Sequence, residues 1–132
     1  MRMIRTESAP APVAGAPYSQ AVTAGPGEMV FVSGQLGIDP GTGALVGEGV
    51  REQAMVALRH VATILAAAGA RMEDVAKTTV YLTDFAGDFP AMNEVYAAAF
   101  AGHAPARATV GVAVLPLGAC VEIEAVAVIP AA

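Results

Sequence analysis

The sequence predicts an α+β fold in which a single mixed six-stranded sheet carries two helices packed on one face, and three observations lead there. Two segments show the three-and-four spacing of an amphipathic helix, and each stops at a glycine. Six stretches alternate, or run continuously apolar, as strands do. Their order is strands, helix, strand, helix and two final strands, with no internal repeat and no linker, so one domain over residues 1–132 accounts for the chain.

Residues Met1 to Pro17 are proline-rich and read as an arm with one short edge strand. Tyr18 to Ala24 alternates loosely and ends at the turn signal Gly25-Pro26-Gly27. The β-branched and aromatic run Met29-Val30-Phe31-Val32 is a strand closed by Ser33-Gly34-Gln35, where the glycine lets another group approach the backbone. Asp39-Pro40-Gly41-Thr42-Gly43 is a turn and not a phosphate loop, because no Lys-Ser/Thr follows at the required spacing. Val50, Ala54, Leu58, Val61, Leu65 and Ala68 then mark the apolar face of a helix that Gly69 ends. Val75 to Leu82 alternates with threonines as a strand. A second helix is expected from Asp88 as N-cap, with Pro90 in its first turn, an apolar stripe of Phe89, Met92, Tyr96 and Phe100, and Gly102 at its end.

Composition narrows the function classes. Apolar residues make up 55% of the chain and aromatics only 5%, so the core is built from Val, Ala, Leu and Ile. That is more aliphatic surface than one small domain readily hides, and a subunit interface is expected. No run reaches the ~18 uninterrupted apolar residues of a membrane span, and MRMIRTESAP has no apolar signal-peptide core. One cysteine, Cys120, agrees with a reducing compartment, and the expectation is a soluble cytoplasmic protein with no membrane partner. The net charge is −5 and the cations are scattered, which makes nucleic acid a poor partner.

Chemistry is sought in Ala104 to Ile129, APARATVGVAVLPLGACVEIEAVAVI, which reads as a β-hairpin turning at Leu115-Pro116-Leu117-Gly118. Its charges need a reason, because an unpaired buried charge is costly. Arg107 is either a surface arginine in a salt bridge or a bidentate clamp for a carboxylate. Glu122 and Glu124 share a strand face that Val126 and Val128 continue, so at least one is paired or kept for handling water and protons. In the hairpin register Ala113 faces Glu122, Arg107 faces Val128, and both charges lie on one sheet face about 20 Å apart along the strand. They then act together only across a subunit interface. Tyr18 is a packing aromatic or a phenol aimed at a pocket, and Ser33 lacks the setting of a nucleophile but keeps a hydroxyl for a ligand. His60, His103 and Cys120 read as structural or inert, with no metal-ligand spacing.

Seven short motifs in order, Tyr18-Ser19-Gln20, Val32-Ser33-Gly34-Gln35, Glu52-Gln53, Val75-Ala76-Lys77-Thr78-Thr79-Val80, Asn93-Glu94-Val95-Tyr96, Pro105-Ala106-Arg107 and Val121-Glu122-Ile123-Glu124-Ala125, closely resemble the RidA (YjgF) family of reactive-intermediate deaminases. The match runs from about Ser8 to the C-terminus. The resemblance implies a chorismate-mutase-like α+β fold, a homotrimer with an inner β-barrel, and active sites in clefts between subunits. It implies hydrolysis of 2-imino acids such as the tautomer of 2-aminoacrylate to 2-keto acids and ammonia, with no cofactor and no metal. Carried over by position, Arg107 binds the substrate carboxylate, Glu122 orients or activates water, and Tyr18, Ser33, Gly34 and Asn93 line the cleft. Two positions depart from the commonest pattern: Ala16 stands where glycine often precedes Pro-Tyr and could tilt Tyr18, and Thr109 stands where some members have cysteine while keeping a hydrogen-bonding hydroxyl. A holdase or carboxylate-binding protein of the same fold, a pathway-specific deaminase and a ribonuclease are the rival readings.

Overall fold

The strand that organises the molecule is the threonine-rich one, not the hairpin. In the computed structural model, which describes residues 1–132, the elements are β1 (Arg2–Ile4), β2 (Ala21–Thr23), β3 (Gly27–Gln35), α1 (Val50–Ala67), β4 (Val75–Leu82), α2 (Phe85–Phe100), β5 (Ala106–Gly111) and β6 (Val121–Pro130). Four of the six strands form one sheet in the order β3-β6-β4-β5, and β1 and β2 form a separate two-stranded ribbon. The single six-stranded sheet is therefore corrected to two sheets. One parallel bridge, Ser19 to Ala106, joins the chain before β2 to the β5 edge. Pro17 and Pro105 flank that bridge and carry no N–H, so a ladder cannot extend past them.

The hairpin expectation fails for a topological reason. β4, α2 and β5 form a parallel βαβ unit, which places β5 on the far side of β4, while β6 returns antiparallel between β3 and β4. Alternation fixes which residues share a face but not which strand is the neighbour. Residues 112–120 leave the sheet, and the predicted turn survives as a single 3₁₀ turn at Pro116–Gly118.

The two faces follow from the register. Thr78 pairs with both Arg107 and Ala125, and Val80 with Thr109 and Ile123. Thr78, Val80, Leu82, Val121, Ile123, Ala125 and Ala127 are buried beneath the helices. Arg107 and Thr109 thus lie on the helix side, while Glu122, Glu124, Val126 and Val128 lie on the open side. The expectation that Arg107 and Glu122 share a face is overturned. Apolar surface covers the open side as expected, with Phe31 71% and Met29 54% exposed.

Helix α1 presents Val50, Ala54, Ala57, Leu58, Val61 and Leu65 to the core and packs on β6 and β3. Ala68 is its exposed C-cap instead of part of the stripe, and Gly69 at φ +84° turns the chain away. Helix α2 begins a turn earlier than expected, because Asp84 and not Asp88 is the N-cap, accepting a hydrogen bond from the Gly87 N–H at 3.1 Å. Pro90 is consequently an interior residue. Met92, Tyr96 and Phe100 are buried as the stripe predicted, with Phe89 partly so.

One polar residue in the core was not foreseen. Gln53 is 1% exposed, donates from Nε2 to the Gly47 carbonyl at 2.7 Å and accepts from the Cys120 N–H at 2.9 Å. It ties the loop before α1 to the strand start of β6. Gln53→Ala strands both backbone groups in the interior, so its free energy of unfolding in urea should fall by about 2–4 kcal/mol. A midpoint equal to that of the parent would refute the staple.

Candidate active site

Arg107 enters the structure at the start of β5, where the chain is fixed by backbone and side-chain bonds from Ser19: Ser19 N–H donates to the Pro105 carbonyl at 3.1 Å and Ser19 Oγ donates to the Ala104 carbonyl. Pairing with Thr78 turns the side chain under the helices, where it is 9% exposed. Its Nη2 donates to Asn93 Oδ1 at 2.7 Å. The guanidinium carbon lies 4.8 Å from the ring centre of Tyr96, 5.2 Å from Tyr18 and 5.8 Å from Phe89. No carboxylate of the chain pairs with it.

Two donors of this buried cation, Nε and Nη1, have no partner, and neither does the buried Thr109 Oγ1. Orphaned buried donors cost about 1–3 kcal/mol each and call for an explanation. All three atoms belong to residues lining one pocket of about 100 Å³, whose other walls are Val13, Tyr18, Phe85 and Phe89. Burial lowers the Arg107 pKa, partly offset by the phenols of Tyr96 and Tyr18, yet an arginine stays charged at neutral pH. A planar anion presenting two oxygens fits this set of donors. The reading of Arg107 as a surface arginine in a salt bridge therefore does not hold.

The neighbours hold the arginine in place. Tyr96 is pushed up to about 12, first by burial, and its hydroxyl bonds Thr78 Oγ1 at 2.7 Å, so it packs as a neutral phenol. Tyr18 packs its ring on the guanidinium, as the packing-aromatic reading expects, while its oxygen accepts from the Val13 N–H at 2.9 Å. Ala16, at φ −59° and ψ 152°, adopts backbone open to any residue, so alanine in place of glycine imposes no tilt.

Ser33, Gly34 and Glu122 form a second group. The β3–β6 register breaks between Val32 and Gln35, and Glu122 folds its carboxylate over the backbone there. A Cβ on Gly34 would sit 2.3 Å from Glu122 Oε2. The close approach read from the glycine is thus that of Glu122. The two glutamates differ: Glu124 accepts a hydrogen bond from the Tyr81 hydroxyl, whereas Glu122 makes no side-chain hydrogen bond within the chain. That bond is the first cause of the raised Tyr81 pKa.

The structure thus brings Tyr18, Asn93, Arg107 and Thr109 together, and separately Ser33, Gly34 and Glu122. The groups occupy opposite faces and opposite edge regions of the four-stranded sheet, with β3 to β5 spanning about 14 Å at ~4.8 Å per strand. One chain cannot bring them onto one small molecule. His60 and His103 bond the Ile38 and Val75 carbonyls, each at 2.7 Å, in the structural roles expected. Missed from the sequence were Val13, Phe85 and Phe89 as pocket walls, Phe89 being read there only as part of the helix stripe. A helix start placed at Asp84 would have put Phe85 one turn before Phe89 and revealed it.

The unpaired guanidinium gives a direct test. Arg107→Met keeps the length and removes the orphaned charge, so the ligand-free protein should gain about 1–2 kcal/mol against urea while binding of small carboxylates, measured by calorimetry, disappears. A variant that loses stability and still binds them would refute the clamp.

Residues 6–129 match the family model described as Endoribonuclease L-PSP. The chain is 48% identical over 127 residues, 96% of its own length and 90% of the relative's, to a protein of Mus musculus named 2-iminobutanoate/2-iminopropanoate deaminase. Among solved structures, RidA from an Antarctic Psychrobacter superposes with a TM-score of 0.73 at 45% identity, covering 98% of this chain and 100% of that one. E. coli TdcF with bound serine gives 0.72 at 42% identity, covering 98% and 99%.

Proposed function

The chain belongs to the family described as Endoribonuclease L-PSP, the RidA (YjgF) family, and from that premise we propose that it is a deaminase that hydrolyses 2-imino acids of the 2-iminobutanoate and 2-iminopropanoate type to 2-keto acids and ammonia. The observation that carries the reading is the buried Arg107, whose free Nε and Nη1 surround a pocket with the free Thr109 hydroxyl. In this reading the substrate carboxylate takes the two free N–H donors, and Asn93 and the rings of Tyr18 and Phe89 hold the guanidinium for it. Water adds to C2 of the iminium, giving a tetrahedral carbinolamine. Glu122, unpaired where Glu124 is engaged, takes a proton from the water and returns it to nitrogen; the C–N bond then breaks as the C=O forms, and the hydroxyl proton passes to Glu122 and on to the departing ammonia, which leaves as ammonium. Hydrolysis of an imine is intrinsically easy, so fixing water and C2 in contact supplies most of the acceleration. Ser33 and Tyr18 offer hydroxyls to the leaving nitrogen or the acid group.

Because Arg107 and Glu122 lie on opposite faces and opposite edge regions of the sheet, each site is composed from two chains. The assembly is a homotrimer that closes the open sheet faces into an inner barrel. The exposed Phe31, Met29 and Val110 support this, since such a patch marks an interaction surface. A reducing, cytoplasmic setting suits the single thiol of Cys120, and no helix is long and apolar enough to cross a membrane. The family model carries a nuclease in its description, but a net charge of −5 with scattered cations gives a phosphate backbone no landing strip.

Two experiments test this. A dehydratase supplies 2-aminoacrylate or 2-iminobutanoate, and its decay is followed with and without the protein; the parent accelerates it, and equal rates for parent and R107A would sink the assignment. Mixed trimers of R107A and E122A chains should regain activity in about one third of their sites, because a ring of two chains of one kind and one of the other pairs two intact halves at one of its three interfaces. Verified mixed trimers with no recovery would put both residues back in one chain's site.

A further inference from the structure

We infer that Phe85 sets the side-chain preference of the Arg107 pocket, favouring acids with a branched or aromatic hydrocarbon side chain over those carrying only a methyl or ethyl group. The inference rests on the deaminase reading of that pocket. Its starting point is that the pocket has a closed polar end and an open apolar end. Arg107 and Thr109 supply buried donors at the closed end. Phe85 and Val13, 40% and 64% exposed, form the rim.

Size then decides what projects where. A volume of about 100 Å³ is small beside the roughly 300–1,000 Å³ of a site for a drug-sized ligand. It holds a carboxylate and the adjoining C2 centre. A side chain on C2 then projects to the rim once the carboxylate is anchored on Arg107, and a branched or aromatic one meets more of it than a methyl or ethyl group. Phe85 is placed to receive it: the ring stacks on Phe89 at 4.8 Å and 20°, which covers one face and leaves the rest of the ring at the opening. Helix-spaced stacking accounts for the covered face alone. A ring left open beside a charged pocket, in a chain whose Tyr96 and Phe100 are buried, is unspent apolar surface. Val13, which lines the same pocket, is held by its N–H to the Tyr18 oxygen, so the rim is tied to the residue that packs on Arg107. Neither rim side chain carries a polar atom, and a polar substrate side chain would lose water there without replacement.

The test separates binding from turnover. Calorimetry compares 3-phenyl-2-oxopropanoate with 2-oxobutanoate on the parent, Phe85→Ala and Phe85→Leu. The parent binds the phenyl acid more tightly, and Phe85→Ala reduces that preference by roughly 10-fold, the upper end of one aromatic contact, while Phe85→Leu retains part of it. The corresponding imines, made in situ by an amino-acid oxidase from phenylalanine and 2-aminobutyrate, should show the same fall in the ratio of kcat/KM. A preference in Phe85→Ala within about twofold of the parent's, in binding and in turnover, overturns the inference. If the binding preference shifts as expected while the parent accelerates no imine, the role of Phe85 stands and the deaminase reading falls.

Discussion

The pairing of β4 with β5 on one edge and β6 on the other is the constraint on which the rest of this structure depends. A parallel partner needs a crossover, and α2 supplies it. The helix then lies over the face toward which Thr78 points, and the same register points Arg107 there. A cation that would have been a wet strand residue in a hairpin becomes a buried one beneath three aromatic rings. Helix, strand order and functional side chain are thus consequences of one connection.

Burying a guanidinium without a counter-ion works against stability, and the surrounding residues only soften the cost. Asn93 satisfies one terminal nitrogen, and the rings of Tyr96, Tyr18 and Phe89 offer their negative faces in place of water. Nε and Nη1 find no partner within the chain. Donors left dry and unpaired in this way would strengthen any bond an anion made to them.

The opposite edge region of the sheet is arranged by absence of a side chain. The register break at Ser33-Gly34 and the missing Cβ of Gly34 let Glu122 lie over the backbone of β3, whereas Glu124 two residues on is engaged by Tyr81. Two glutamates that look alike in sequence therefore have different freedom. The arginine group thus lies under the helices and the glutamate group on the bare apolar face.

Much of this was legible in the sequence. Strand β4 over Val75–Leu82 and the buried stripes of α1 and α2 followed from periodicity, because alternation and three-to-four spacing are local. So did the close approach at Gly34, the apolar second face and the singling out of Arg107 and Glu122, since a charge among aliphatic residues or a glycine in a strand needs a cause. The neighbour of each strand was not legible. Ala104–Ile129 has the pattern of a hairpin, and only the crossover through α2 decides that β4 sits between its two halves. That placement fixed the face of Arg107, the split of the two site groups and the aromatic pocket with Phe85 at its rim, because pattern sets a residue's side of its own strand while tertiary pairing sets what lies across from it.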